Sequence, residues 1–372
     1  MSSSVRDTLL AAIEDHGPIS FAEFMEIALY GPGGFYESPP IGEQGHFVTS
    51  PHVHPVFGRL VGDALRSLWR ELGRPEPLRL IEVGAGDGTL AAQILAALRD
   101  VPKHYVAVER SPGARDILAR TGIRAAPSLE VLDQRITGCV VANELFDNLP
   151  FHVLRKGSKG PMEVRVGLSE GRLVEVERPC NPGLLADFPV PALLPEGGVG
   201  VIQLEGIRML DRMARVIATG YILVIDYAGD PGNAATGPHA YRRQRVTGEL
   251  LTEPGSRDIT VGVDFPALQA RARQLGFTPF PLVSQRAALL ALGVGAWFDA
   301  ERRRQADALD RREGREAVGA WSERNAAALL VDPTGPGRLR WLVVATAGLP
   351  RPSWLEKAEG LDAEMLDERP AP

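Results

Sequence analysis

Apolar residues recur at helical spacing through the N-terminal part of the chain, and the rhythm then changes. Leu9, Leu10 and Ile13 predict a helix over 5–16, which Ser4 can cap and Gly17-Pro18 stops. A second helix is predicted over 20–29, with Ser20 at the N-cap and Glu23 at the capping-box position. The segment Tyr30-Gly31-Pro32-Gly33-Gly34-Phe35-Tyr36 is turn-rich, and 37–54 reads as loop. A helix from about 55 to 72 places Phe57, Leu60, Val61, Ala64, Leu65 and Leu68 on one face. From residue 78, short and nearly continuous apolar runs (78–83, 104–109, 123–126, 138–143, 221–226) alternate with helical stretches such as 89–98 and 112–120. Strands of that kind belong to a parallel sheet buried on both faces. The fold class this predicts is α/β, a doubly wound, mostly parallel, Rossmann-like sheet.

Two stretches break the alternation. Within 152–204, Val164–Leu168 and Leu173–Val176 flank a Ser-Glu-Gly turn and predict an inserted β-hairpin. Residues 229–262 are rich in Gly, Pro and Arg and read as a long loop excursion. A helix (264–276), a strand (278–284), a helical region (286–330) and a strand (340–347) follow. Trp297, Phe298 and Trp321 read as core. The polar, Pro-punctuated 349–372 reads as a surface tail. The expected organisation is an N-terminal helical cap over 1–75, a core over 76–348 carrying both insertions, and that tail.

Composition narrows the function classes. With 44% hydrophobic and 24% charged residues, the chain is not of the disordered class. Lys+Arg 41 against Asp+Glu 47 gives a net charge of -6, which disfavours a general nucleic-acid binder. No apolar run is long enough to span a membrane, and Met1–Ser4 lack the basic start of a secretory signal. Cys139 and Cys180 form no CxxC pair. These features predict a cytoplasmic protein with neither nucleic acid nor membrane as partner.

The chemistry concentrates at two strand ends. Leu80-Ile81-Glu82-Val83-Gly84-Ala85-Gly86-Asp87-Gly88-Thr89 joins an apolar strand to a helix. Glycines at spacing two let the backbone turn sharply and let a ligand approach. The pattern is Glu-x-Gly-x-Gly-x-Gly, not the G-x-G-x-x-G of dinucleotide sites. The carboxylates of Glu82 and Asp87 would repel a pyrophosphate. They suit a cofactor bearing a sulfonium and an ammonium, which describes S-adenosylmethionine. The candidate cofactor residues are therefore Glu82, Gly84, Ala85, Gly86 and Gly88, with Glu109 placed for the ribose hydroxyls and Arg110 beside it. The second constellation, Asn143-Glu144-Leu145-Phe146-Asp147-Asn148, follows the next long apolar strand. If the segment turns helically, Glu144 and Asp147 project toward one spot. Such a carboxylate pair can hold a guanidinium or amine and help remove its proton. Asn143, Glu144 and Asp147 are the catalytic candidates, Asn143 serving the cofactor as well. The plainer reading of Asp147 and Asn148 is a helix cap.

The segments Phe24–Tyr36, Phe47-Val48-Thr49-Ser50-Pro51, Val56-Phe57-Gly58, the glycine loop, Asn143–Pro150, Leu223–Tyr227, Ala240-Tyr241-Arg242-Arg243 and Asp258-Ile259-Thr260 together resemble the MidA family of class I methyltransferases. The resemblance runs from about residue 18 to 347. It implies a doubly wound core, S-adenosylmethionine as cofactor, and an N-terminal part covering it with Tyr30, Gly33, Thr49 and Pro51. It also implies an arginine-like acceptor on a protein partner, because the family's mitochondrial member modifies an arginine of a respiratory-complex subunit. The sequence departs from the family pattern at His46 and His52, where acids are usual, at His54 for a serine, at Gly262 for a histidine, and at Asp87, where arginine is common. His46, His52, Tyr241 and Arg242 are the substrate-side candidates. The histidines lack accompanying Cys or paired carboxylates, so no metal is expected. The expected function is N-methylation of a protein. The competing readings are a non-catalytic assembly factor that binds the cofactor and a small-molecule methyltransferase.

Overall fold

The structure is a computed structural model and describes residues 4–37, 49–158, 160–185, 194–229, 238–242, 245–247 and 249–367. Helix α1 (Val5–His16) starts in a capping box made by Ser4 and Asp7, and Gly17 takes over at φ 74. After β1 (Ile19–Ser20), α2 (Phe21–Met25) starts in the predicted Ser20/Glu23 box and widens into a π-helical turn, Glu26–Tyr30. The short α3 (Ser50–Val53) leads to α4 (Val56–Glu71), then β2 (Leu78–Val83), α5 (Thr89–Ala97), β3 (Lys103–Val108), α6 (Pro112–Arg120), β4 (Ala125–Ala126) and β5 (Ile136–Asn143). The chain continues through β6 (His152–Gly157), β7 (Gly160–Ser169), β8 (Arg172–Pro179), β9 (Val199–Ile202), α7 (Leu204–Val216) and β10 (Ile217–Asp226). Strands β11 (His239–Arg242), β12 (Arg245–Thr247) and β13 (Asp258–Thr260) precede α8 (Phe265–Gln274), β14 (Phe277–Pro279) and β15 (Val283–Ser284). The last elements are α9 (Gln285–Ala291), α10 (Val294–Asp310), α11 (Gly314–Ala328), β16 (Arg340–Thr346) and α12 (Ser353–Asp367).

The central sheet runs β4-β3-β2-β5-β10-β16-β14, with β15 also on β16. β2, β3, β4, β5 and β10 pair in parallel, whereas β16 runs antiparallel to its neighbours. This is the doubly wound, mostly parallel α/β sheet that the apolar runs predict. One face is covered by α4, α5 and α9 through Phe57, Leu60, Ile94 and Leu289. The other is covered by α7 and α8 through Met213, Phe265 and Leu268. Helix α4, which falls within the cap expected over 1–75, packs against α5 and the central sheet. Chain order reverses between β2 and β5, so the carboxyl ends of β2, β3 and β5 open onto the crevice where α/β sheets bind ligands.

The predicted hairpin forms, with Val166 opposite Glu175, but it is part of a larger antiparallel sheet. β7 also pairs with β6 and with the N-terminal β1, and β9 adds to β6. A lone two-stranded hairpin is marginal in water. Here Val164 and Val166 are buried against Leu9, Phe21 and Phe24, so the N-terminal helices cover the apolar face of this sheet. The 229–262 excursion contains the three-stranded sheet β12-β11-β13 in its described part.

The expected surface tail is instead the helix α12, whose Trp354, Leu355 and Ala358 are buried in the main core. Trp354 meets Trp341 of β16 edge-on, with ring centroids 5.7 Å apart. A few apolar residues in a polar stretch hold this helix, which is why composition hides it. Trp297 and Phe298 pack on the core, but Trp321, expected there too, is 50% exposed on α11.

Candidate functional site

The loop after β2 turns through Gly84, Gly86 and Gly88 at φ 75, 53 and 83, conformations that side chains with a Cβ adopt at a cost. The turn is tied to the end of β3. The Gly84 N–H donates to the Val108 carbonyl, and the Gly86 N–H donates to Glu109 Oε2 at 2.8 Å. The Ser111 N–H donates to Oε1 of the same carboxylate at 2.8 Å. Glu109 is thus oriented from both sides while each oxygen keeps a lone pair for a hydroxyl donor. Burial raises its pKa, opposed by these N–H groups. Glu82, at the end of β2, is 3% exposed and accepts the Tyr105 hydroxyl. Burial pushes its pKa up to about 8, with the Tyr105 hydrogen bond opposing and the Glu109 and Asp87 charges adding.

A cavity of about 1170 Å³ opens over this loop. Glu82, Gly84, Ala85, Gly86, Glu109, Arg110, Asn143, Glu144, Tyr30, Thr49, Pro51 and His52 all line it. Arg110 stacks over the Tyr30 ring at 4.7 Å and pairs with Glu26, so the N-terminal segment is fastened to the end of β3. Tyr30 stacks on Tyr36, with centroids 5.4 Å apart, and donates its hydroxyl to the Asn148 carbonyl.

Directly after β5, Glu144 adopts φ 48, an uncommon conformation for a residue with a Cβ. Asp226, 0% exposed at the end of β10, stabilises the turn that follows. Its Oδ2 accepts the N–H groups of Leu145 (3.0 Å) and Phe146 (2.7 Å), and its Oδ1 accepts that of Tyr227 (2.8 Å). Glu144 Oε1 accepts the Ser50 N–H at 2.8 Å and the Asn143 side-chain amide at 3.3 Å. Burial raises the Glu144 pKa, and these donors oppose the rise. The buried Oδ1 of Asn143 has no protein partner, so it offers a lone pair to an N–H donor.

Among the described residues, the predicted Gly88, Gly33 and Asp147 do not line the cavity. A Cβ at Gly88 would point at Leu118 and Ile123, so this glycine serves the packing of α5 on α6. The open side of Gly33 faces Val5 of α1. Asp147 is buried in a 3₁₀ turn, Phe146–Asn148, beside Asp226 and Asp258. Because Glu144 is left-handed and the helical turn begins only after it, the two side chains do not share a helical face. Burial and then the charges of Asp226 and Asp258 push the Asp147 carboxyl well above the usual range. His46 lies outside the described residues, as do the side chains of Tyr241 and Arg242 on β11. Among the described residues, no group of three His, Cys, Asp or Glu could hold a metal ion.

Sequence reasoning missed two pairings. His52 Nε2 lies 2.9 Å from Asp87 Oδ2, so two of the departures from the family pattern face each other. Each position alone reads as a lost charge, whereas together they make one polar contact. Asp226 was also missed. It follows Ile225, which registers with Asn143 across β10 and β5, so an acid closing the neighbouring apolar strand was the available signal.

The family model for S-adenosyl-L-methionine-dependent methyltransferases matches residues 60–283. This chain belongs to that family. Among relatives, rat protein arginine methyltransferase NDUFAF7, mitochondrial, is 30% identical over 331 residues, covering 77% of this chain and 73% of its own. The Drosophila melanogaster homolog is 29% identical over 311 residues, covering 73% and 71%. A Burkholderia thailandensis structure bound to S-adenosyl-homocysteine shares the fold, with TM-score 0.81 and 24% identity over 93% of this chain and 92% of that one. The MidA-family resemblance therefore holds, and the cofactor of this methyltransferase is S-adenosylmethionine.

The cavity fits that cofactor on its own chemistry. It offers a buried carboxyl that suits an ammonium and an oriented carboxylate that suits vicinal hydroxyls, while a Cβ at Gly84 would meet Leu145, so that glycine serves the packing of the loop. This assignment has a thermodynamic consequence. At pH 7 Glu82, with its pKa pushed up to about 8, is mostly protonated in the free enzyme. A cationic ammonium beside it favours the ionised form. Binding of S-adenosylhomocysteine should then release most of one proton at pH 7, and affinity should rise as pH approaches and passes that pKa, where the ionisation cost vanishes. Calorimetry in buffers of different ionisation enthalpy reads this directly. A Glu82→Gln variant should release none. Proton release equal in both proteins would remove Glu82 from the cofactor site.

Proposed function

We propose that this methyltransferase transfers a methyl group to a guanidinium nitrogen of an arginine in a protein. The observation that carries the reading is the array of acceptors at the crevice: Glu144 held by the Ser50 N–H, and the partnerless Asn143 Oδ1 beside it. A guanidinium offers only N–H donors, and the Glu144 carboxylate and Asn143 Oδ1 are acceptors for them. When bound, the cofactor supplies an electrophilic methyl carbon on a positively charged sulfur. The catalytic residues in this reading are Glu144, which holds and aims the guanidinium, and Asn143, which orients it. Transfer converts guanidinium and sulfonium into methylguanidinium and thioether, so one proton must leave. Glu144, with its pKa already raised by burial, is the group placed to take it. Asp147 stands behind the wall in this reading and supports the turn, its carbonyl accepting the Val261 N–H.

The cavity extends past the glycine loop between α2, the start of β6 and α7, reaching Glu23, His152 and Arg208. That extent favours a polypeptide acceptor over a small molecule enclosed on all sides. His46, Tyr241 and Arg242 remain substrate-side proposals. We place the protein in a reducing compartment, the cytoplasm, with neither nucleic acid nor membrane as partner. Cys139 and Cys180 are free, and among the described residues no helix is long and apolar enough to cross a membrane.

The test is labelled methyl transfer from the cofactor into a lysate of cells lacking the protein, followed by mass spectrometry of the labelled species. Methylarginine in a protein is the expected product. Label confined to small molecules, or cofactor binding without transfer, would overturn the arginine reading.

A further inference from the structure

Residues 49–54 contribute Thr49, Pro51 and His52 to the cavity wall and touch both halves of the site. The Ser50 N–H donates to Glu144 on the acceptor side. Two residues on, the His52 imidazole reaches the cofactor loop: Nε2 is 2.9 Å from Asp87 Oδ2, while Nδ1 is 2.7 Å from Thr49 Oγ1 within the same segment. Asp87 is itself fixed, because its Oδ1 accepts the Thr89 N–H at 3.0 Å. Between these contacts, the Pro51 carbonyl accepts the Gln93 side chain of α5 at 2.8 Å. The far end is pinned by His54, which accepts the Val56 N–H at Nδ1 and bonds Glu323 of α11 at 2.6 Å through Nε2.

We infer that His52 is a positioning residue: braced between Thr49 and Asp87, it fixes this strap against the glycine loop, so that one segment closes over the cofactor and delivers the Ser50 N–H to Glu144. The imidazole side chain is 13% exposed and both of its nitrogens are engaged with the protein, which takes it out of the substrate-side set. Asp87 belongs to the same device. Burial raises its pKa, but hydrogen bonds from His52 and Thr89 outweigh this and hold the carboxyl below its usual range. It therefore stays an acceptor for the imidazole. The coupling runs in both directions. Seating the cofactor under the strap favours the geometry in which Ser50 meets Glu144, and loosening the strap weakens both.

The inference rests on the cofactor reading of the glycine loop, and S-adenosylhomocysteine is the probe. His52→Phe keeps the ring volume and loses both hydrogen bonds. It should raise the calorimetric Kd by about tenfold or more. His52→Gln places an amide donor where the imidazole Nε2 meets Asp87 and leaves the glycine loop untouched. It should bind within about threefold of the wild type. Labelled transfer into lysate should fall in His52→Phe and recover in His52→Gln. Wild-type affinity in His52→Phe would overturn the inference, and so would a His52→Gln variant as weak as His52→Phe. If His52→Phe does not fold, His52→Leu takes its place in the comparison. If the wild type itself fails to bind the probe, it is the cofactor reading that falls.

Discussion

Replacing Gly86 with valine is expected to abolish measurable S-adenosylhomocysteine binding, with Kd rising by about a hundredfold or more. Two costs combine. Gly86 sits at φ 53, where a residue with a Cβ loses about 1–2 kcal/mol and a β-branched one more. The strain is not confined to the residue. The Gly86 N–H is one of the backbone donors that orient Glu109, so backbone relaxation turns away the carboxylate proposed to hold the ribose. The same strain lowers the stability of the fold, so the thermal midpoint should fall by several degrees while the variant stays folded at the temperature of the binding measurement. Calorimetry on the folded variant checks the expectation. Binding unchanged from the wild type would show that the cofactor does not approach this loop.

The second large effect is expected at Glu144. Glu144→Gln should lower labelled methyl transfer by about 10²–10⁴-fold, the range typical of a lost general base. S-adenosylhomocysteine affinity should stay within a few fold. Glutamine keeps the side-chain length, and its oxygen still accepts the Ser50 N–H. It lacks the charge that holds a guanidinium and cannot take the proton that leaves. The separation of rate from cofactor affinity is the informative feature, because the cofactor contacts are proposed on β2 and β3 while Glu144 follows β5. A variant that loses both together would place Glu144 in cofactor binding instead. A variant that keeps its rate would remove it from the chemistry.

The strand, glycine turn and helix at the end of β2 were legible because they are local. The acid, the three glycines and the helix start are consecutive, and a strand-loop-helix unit positions them without help from distant residues. The capping boxes at Ser4 and Ser20 were readable for the same reason. What depended on distant partners was not. Glu144 and Asp147 are three apart, and a helical turn would have joined them. The tertiary bonds from Asp226, far along the sequence, instead impose a left-handed residue at Glu144 and move Asp147 behind the wall. The His52–Asp87 contact joins residues 35 positions apart, and neither reads alone as half of a pair. The C-terminal helix was hidden in the same way. Its Trp354 and Leu355 stand in a polar, Pro-punctuated stretch, and only distant partners, Trp341 and helix α9 with the Ser284–Asp362 hydrogen bonds, make a helix there worth forming.

The claim on which the rest depends is that one crevice seats the cofactor with its sulfur turned toward Glu144. A crystal structure of the protein grown with S-adenosylhomocysteine tests it most directly. The account predicts both ribose hydroxyls on Glu109, the ammonium beside Glu82, and the thioether sulfur facing Asn143 and Glu144. A ligand seated away from the glycine loop, or lying in the crevice with its sulfur turned from Glu144, would contradict it.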